Sequence, residues 1–211
     1  MVRKLLLGCG VASSVLYAGL NVFVPMLWPE YSSVNQTVSE LSAIDAPTRN
    51  VWFPLGLLYA VLVIAFGLGV NVSAAGSNLI RWLGILLIAY GTLCLYWPPM
   101  HLRGTITTVT DTLHLVWAGL SVLLMVSSII LSAVIFKGWF RGYAIVTVLV
   151  LAVFGILTSV QAPAVPLNQP TPFMGVWERI NIGVYLLWII VLAVMLYPER
   201  KPVLPFSIQT K

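Results

Sequence analysis

The side chains best suited to chemistry in this sequence lie in three polar stretches, each of which separates two long apolar runs. The candidates are Ser39, Glu40, His101, Arg103, Asp111, His114, Glu178 and Arg179. Carboxylates and imidazoles can transfer protons or bind divalent metal ions, and arginines bind phosphates and carboxylates. The sequence therefore predicts a site that is assembled from three separate parts of the chain.

The stretch between the third and fourth apolar runs carries both histidines of the chain. Two consecutive prolines should end the preceding helix and leave His101 and Arg103 in a loop. Asp111 and His114 are three residues apart, so they share a face of the helix that follows. Such a pair could orient a proton transfer, bind a divalent ion or hold a polar head group. The alternative is structural, with Asp111 as a helix N-cap and His114 hydrogen-bonded to Asp111.

The other two stretches each place an acidic residue near the start of a helix. A capping-box pattern that ends at Glu40 predicts a short interfacial helix at about 38–44, which would be a structural role for this residue. Glu178 and Arg179 open the last apolar run, and adjacent residues point about 100° apart on a helix. We therefore expect one of the two to turn into the bundle, most simply Arg179 paired with Glu40 or Asp111.

The composition indicates what kind of protein must position these side chains. Hydrophobic residues make up 60% of the chain, charged residues make up 8%, and the mean hydropathy is +0.99. Soluble domains carry about 25% charged residues, and a water-soluble fold of this length cannot bury so much apolar surface. The net charge of +5 does not indicate nucleic-acid binding, because the Lys and Arg residues are scattered at the edges of apolar runs.

Six apolar runs are long enough to cross a membrane, which takes about 20 residues in a helix. They cover approximately residues 5–28, 52–72, 79–97, 112–136, 143–161 and 177–197. The connections between them are mostly short. We therefore predict an all-α integral membrane bundle of six transmembrane helices that forms a single domain over residues 1–211.

The basic residues predict the orientation of the bundle. If the N-terminus is cytoplasmic, eight of the eleven Lys and Arg fall inside and three fall outside. Basic residues favour the cytoplasmic side, so both termini should lie inside. The inner set is Arg3, Lys4, Arg81, Lys137, Arg141, Arg200, Lys201 and Lys211, and the outer set is Arg49, Arg103 and Arg179. We expect the protein in the inner, cytoplasmic membrane of the cell, with the polar stretches on the extracytoplasmic side.

The small number of histidines limits any metal site. A tetrahedral zinc ion would need His101, His114 and at least one of Glu40, Asp111 or Glu178, with water in the open position. This set is chemically possible, although the short His pairs typical of zinc enzymes are missing from the sequence. A divalent metal such as zinc is therefore a candidate cofactor that the spacing does not require.

Four segments, taken in order, resemble a known family. They are YSSVNQTVSEL at 31–41, MHLRG at 100–104, DTLH at 111–114 and WERI at 177–180. In these segments the chain resembles the domain of unknown function 998 family of bacterial and archaeal multi-pass membrane proteins. The resemblance implies a compact membrane bundle with polar signatures on one face and no established activity. A fainter similarity to alkaline ceramidase and progestin-receptor-like membrane hydrolases implies a zinc hydrolase, but the closing His-x-x-x-His motif of those enzymes is absent.

The preferred hypothesis is a membrane protein whose outer polar cluster binds a lipid head group or a protein partner. In this hypothesis His101, Arg103, Glu178 and Arg179 are the binding residues. Membrane lipids are then the expected partners, a protein partner within the membrane is a further candidate, and nucleic acid is not expected.

Two other functions are carried as alternatives. A membrane-embedded, metal-dependent lipid hydrolase would use Asp111 and His114 as acid and base or as metal ligands, with Ser39 or Glu40 assisting. It predicts a pocket that is open to water and to lipid and that holds both histidines. A small-molecule transporter ranks last, because the two halves of the sequence show no internal repeat.

Overall fold

The computed structural model describes residues 1–198, and within them it contains six long α-helices and no β-strand. The helices are α1 (Val2–Phe23), α2 (Arg49–Val72), α3 (Asn78–Leu95), α4 (Val109–Ile135), α5 (Trp139–Gln161) and α6 (Met174–Leu196). Short 3₁₀ turns lie at Val24–Leu27, Val38–Ser42 and Ala162–Ala164. Each long helix has the length and apolar composition needed to span a membrane. This confirms the prediction of an all-α, six-helix membrane protein.

Local sequence explains where the helices begin and end. α3 ends at Leu95 rather than at residue 97. The next residue, Tyr96, has an extended backbone, and two consecutive prolines follow at 98 and 99. α4 begins at Val109 rather than at residue 112, because Thr108 caps it. α5 begins at Trp139, directly after its N-cap Gly138, whose φ of 70° lets the chain turn between α4 and α5.

The described helices form a ring in which each helix packs against its neighbours in sequence and α6 closes on α1. Small residues allow the closest approach: a Cβ added to Gly67 of α2 would lie 2.9 Å from the backbone nitrogen of Ile88 in α3. Three connections, at 28–48, 96–108 and 162–173, lie together at one end of the ring. We call this the polar end.

The hydrophobic core fills the half of the ring that is remote from the polar end. Its completely buried side chains include Val63, Phe66, Leu83, Leu87, Phe140, Trp188 and Ile189. The half next to the polar end encloses a cavity of about 540 Å³. The fold therefore places this open volume directly beneath the three connections.

Candidate functional site

Apolar side chains hold the first connection, residues 28–48, against the ring. Tyr31, Val38 and Leu41 pack with Leu20 of α1 and Trp52 of α2 in a small buried cluster. The predicted interfacial helix at 38–44 is a 3₁₀ turn that ends at Ser42. It ends there because the next residue, Ala43, has a non-helical backbone with a ψ of 160°.

Glu40 is completely buried, and its carboxylate is bonded on all sides by the protein. The backbone nitrogen of Thr37 donates to Oε2 at 2.8 Å, as the predicted capping box requires. Arg103 donates from Nε to Oε1 at 2.7 Å and from Nη2 to Oε2 at 2.9 Å. Gln36 donates to Oε1 at 3.1 Å. This bidentate ion pair ties the second connection to the first.

The surroundings of Glu40 keep it ionised. Burial alone raises the pKa of this carboxyl, but the hydrogen bonds and charge of Arg103, with the bonds from Gln36 and Thr37, outweigh burial. The net result is a pKa below the ordinary value of 4.5. Arg103 also donates to Oγ1 of Thr171 at 3.3 Å, so the third connection joins the same network.

Arg179 does not pair with Glu40 or Asp111, and that prediction was wrong. Its Nη1 donates to the carbonyl oxygens of Ser33 at 2.9 Å and Gly175 at 3.1 Å, and its Nη2 donates to the hydroxyl of Tyr31 at 2.8 Å. Four hydrogen bonds from the planar guanidinium satisfy carbonyl and hydroxyl oxygens of a buried turn, whereas its Nε has no partner among the described residues.

The hydroxyl of Tyr31 extends this hydrogen-bond network within the first connection. It donates to the carbonyl oxygen of Thr37 at 2.8 Å. Burial raises the pKa of Tyr31, although the charge and hydrogen bond of Arg179 oppose this shift. We refer to Tyr31, Glu40, Arg103, Thr171 and Arg179 as the loop cluster.

Asp111 binds His101 and not His114. Its Oδ1 accepts from the backbone nitrogen of His101 at 2.7 Å, and its Oδ2 lies 2.9 Å from Nδ1 of the same histidine. The N-cap of α4 is Thr108, which lies three residues before Asp111. The alternative in which Asp111 is itself the N-cap was therefore wrong. Asp111 instead closes a capping box from the third helical residue, and Thr108 donates to it from its backbone nitrogen at 2.8 Å.

His114 is buried under the second connection, where it contacts backbone. Its Nδ1 lies 2.8 Å from the carbonyl oxygen of Pro98 and 3.1 Å from Nε1 of Trp97. One nitrogen cannot donate to the carbonyl and accept from the indole at the same time, and the shorter distance favours a proton on Nδ1 that is donated to Pro98. The predicted hydrogen bond between His114 and Asp111 is therefore replaced by a bond that anchors the end of α3.

The donor set does not form a metal site within residues 1–198. In this part of the chain no three His, Cys, Asp or Glu side chains lie close enough together to hold an ion. His101 and Asp111 form one pair, and Nδ1 of His114 faces a carbonyl oxygen. The zinc set of two histidines and a carboxylate, considered from the sequence, is not assembled by this geometry.

The cavity beneath the polar end is lined by helices α1 to α6 and by the 3₁₀ turn of the first connection. Two of the predicted candidates, Ser39 and Glu178, line it, whereas neither histidine does. The pocket with both histidines that the hydrolase hypothesis predicts is therefore not the cavity found here. The further polar side chains of its wall are Ser42, Arg49, Tyr59, Tyr90, Ser121, Thr158, Ser159, Asn181 and Tyr185.

Glu178 is the member of the adjacent acid and base pair that turns into the bundle. Its Oε2 accepts a hydrogen bond from the backbone nitrogen of Val38 at 2.5 Å, which fixes the side chain at the roof of the cavity. Among residues 1–198 no hydrogen bond reaches Oε1, and no Lys or Arg lies within ion-pair distance of either oxygen. A carboxylate oxygen is therefore open to whatever occupies the cavity.

Sequence reasoning missed the tyrosines of the cavity wall. The hydroxyls of Tyr59 and Tyr90 lie 3.1 Å apart, whereas the hydroxyl of Tyr185 has no partner among the described residues although the side chain is 2% exposed. Tyr185 follows Glu178 by seven residues, which places both on one face of α6. The sequence feature that could have identified these tyrosines is a polar side chain within an otherwise apolar run.

The comparisons with known proteins give a family and no activity. No curated protein and no solved structure matches the chain. The model of the family described as "Protein of unknown function (DUF998)" matches residues 11–195, which include all six long helices in whole or in part and all three connections of the polar end. The chain therefore belongs to the DUF998 family of proteins of unknown function, and it is a multi-pass membrane protein.

Proposed function

We propose that this protein binds an amphiphilic membrane molecule, with its polar head at Glu178 and its apolar part in the cavity beneath the polar end. The observation that carries the proposal is the cavity of about 540 Å³ with an open carboxylate oxygen at its roof. Pockets of about 300–1,000 Å³ typically enclose a drug-sized molecule. A single-chain amphiphile, or the head and part of one chain of a lipid, is of this size.

The distribution of polar groups in the cavity supports an amphiphile. Ser39 and Ser42 belong to the polar end and Glu178 lies in the first turns of α6, whereas Leu115, Met125 and Leu186 extend the wall further into the membrane-spanning part of the ring. A ligand with a polar head and an apolar tail satisfies both parts of such a wall.

The unpaired hydroxyl of Tyr185 also supports a ligand. Buried polar groups in proteins nearly always have a hydrogen-bond partner. Tyr185 lines the cavity, and its hydroxyl has no partner within residues 1–198, so it is available to a bound molecule or a water that reaches it. The exposed side chains of Leu115, Val122 and Ser159, which also line the cavity, support entry from the side between α4 and α5.

The side of the membrane is part of the proposal. The excess of basic residues predicted from the sequence for the cytoplasmic side supports placing the polar end, and with it the cavity, in the extracytoplasmic half of the cytoplasmic membrane. A lipid-derived ligand would then come from the outer leaflet. A protein partner in the membrane stays a prediction from the sequence.

A cavity-filling variant tests the proposal. Gly56 lines the cavity, and a Cβ added there would meet no atom within 4 Å. Radiolabelled dodecanol is titrated onto the protein in lipid nanodiscs. We expect saturable binding that Gly56→Phe abolishes, because the new ring occupies the cavity.

The matched control is Gly183→Phe. Gly183 also has open space around its Cβ, but it faces outward from α6 and does not line the cavity. This variant should bind dodecanol as the wild type does. If the wild type and Gly56→Phe retain the same amount of dodecanol, the label is only partitioning into the lipid and the proposal fails.

A further inference from the structure

We infer that the amphiphile bound in the cavity is a cation, and that its ammonium group pairs with Glu178. This inference rests on the proposed function, because it names the chemical class of the ligand for the same cavity. It follows from the charges that surround Glu178 and from the aromatic composition of the wall.

The cations of the loop cluster are directed away from Glu178. Arg103 gives Nε and Nη2 to Glu40. Arg179, the next residue in the chain, donates to carbonyl oxygens of Ser33 and Gly175 and to the hydroxyl of Tyr31. Neither guanidinium lies within ion-pair distance of the cavity carboxylate.

Arg49 is the other charged side chain that lines the cavity, and it does not neutralise Glu178. Its Nη1 donates to the carbonyl oxygen of Ser42 at 2.8 Å, at the rim of the polar end. Within residues 1–198 it forms no ion pair with a carboxylate. The protein therefore presents a partly desolvated carboxylate that forms no ion pair within residues 1–198, and a ligand cation would supply a direct partner.

The wall of the cavity is rich in rings that suit a cation. Seven aromatic side chains line it: Tyr17, Trp52, Phe53, Tyr59, Tyr90, Trp97 and Tyr185. Faces of tyrosine and tryptophan attract ammonium groups, and this attraction strengthens when water is excluded. A carboxylate that faces aromatic rings inside a membrane thus favours an amine over an alcohol or an anion of the same chain length.

The test compares head groups on one chain. Dodecylamine, dodecyltrimethylammonium, dodecanol and dodecanoate compete with radiolabelled dodecanol on the wild-type protein in nanodiscs of a neutral lipid. We expect the two cations to bind at least about tenfold more tightly than dodecanol, and dodecanoate to bind more weakly. Lysophosphatidylethanolamine is added as a further competitor in the same assay. It shows whether an ammonium on a lipid head group displaces dodecanol as well as a free amine does.

Two variants test whether Glu178 is the residue that gives the cavity its preference for cations. In Glu178→Gln the cations should lose their advantage, so that they and dodecanol bind with about equal affinity. The amide oxygen can still accept from Val38, and an unchanged melting temperature in detergent shows that the fold is intact. In Arg49→Gln the preference for cations should persist.

Equal binding of cations and dodecanol to the wild type would overturn the inference but leave the proposed function standing. The strongest binding by dodecanoate, lost in Arg49→Gln, would also overturn it and would make the ligand an anion. Absence of saturable binding by every probe would overturn the inference and the proposed function together.

Discussion

Glu40 and Glu178 lie at the same end of the bundle and both meet the first connection, but their surroundings differ. Glu40 has no exposed surface and accepts hydrogen bonds at both oxygens from Arg103, Thr37 and Gln36. Glu178 accepts one bond, from the backbone nitrogen of Val38, and borders a cavity. The first carboxylate holds the connections together, whereas the second leaves bonding capacity for a ligand.

The same contrast separates the loop cluster from the cavity as regions. In the loop cluster, Arg103 bonds to the first and third connections, and Arg179 joins α6 to the first connection, so these bonds stabilise the fold. In the cavity, Tyr185 and Glu178 retain atoms without partners among residues 1–198. The two regions therefore differ in whether their polar side chains join segments of the protein or border an open volume.

The largest expected effect comes from breaking the ion pair of the loop cluster. Arg103→Met leaves the charge of Glu40 buried without a partner, and such a change typically costs about 3–5 kcal/mol. Glu178→Gln should change the free energy of unfolding by less than about 1 kcal/mol, because the amide can still accept from Val38. Both are measured by unfolding in detergent micelles. Equal destabilisation by the two variants would mean that Glu178 is also a structural residue.

A second prediction concerns the close contact between α6 and the first connection. A Cβ added to Gly175 would lie 2.6 Å from the carbonyl oxygen of Ser33 and would collide with that of Gln36. Gly175→Ala should destabilise the protein by about 2 kcal/mol or more, as overpacking does. The effect arises because the backbone must move and the bonds of Arg179 must lengthen.

Gly183→Ala is the matched change in the same helix, and it meets no atom within 4 Å. It should be neutral or slightly stabilising, because alanine favours helix more than glycine does. Thermal unfolding of both variants in one detergent is sufficient. A melting temperature for Gly175→Ala equal to that of Gly183→Ala would contradict the close contact.

The smallest effect is expected from pH. The pKa of Glu40 is lower in the folded protein than its ordinary value of 4.5, so this residue contributes stability above about that pH. As pH falls below 4.5 the unfolded chain binds a proton first, and the contribution is lost as pH falls through the folded pKa. The melting temperature of the wild type should therefore fall more steeply in acid than that of Glu40→Gln. Parallel acid profiles of the two proteins would show that Glu40 does not have a lowered pKa.

Much of the fold could be predicted from the sequence. Apolar runs of membrane-spanning length identified all six helices found in residues 1–198, and the capping pattern at Glu40 identified the turn of the first connection. These features depend on residues close together in the chain, so local physics determines them. The observed helix ends differ from the predicted ones where the capping residue lies outside the apolar run, as Thr108 does for α4.

The partners of the charged residues could not be predicted in the same way. Arg179 was the predicted partner of Glu40, whereas Arg103 is its partner in the structure, because sequence gives no distance between separate connections. The bond from Asp111 to His101, rather than to His114, likewise depends on the path of the second connection after the prolines.

The sequence by itself determined a membrane bundle with its polar residues gathered in three connections, because hydropathy and capping are local properties. The tertiary structure decided which carboxylate is neutralised and which borders a cavity. That division requires side chains from α2, α3, α4, α5 and α6 to meet around one volume. Packing between distant segments leaves that volume open, and residue order alone does not encode it.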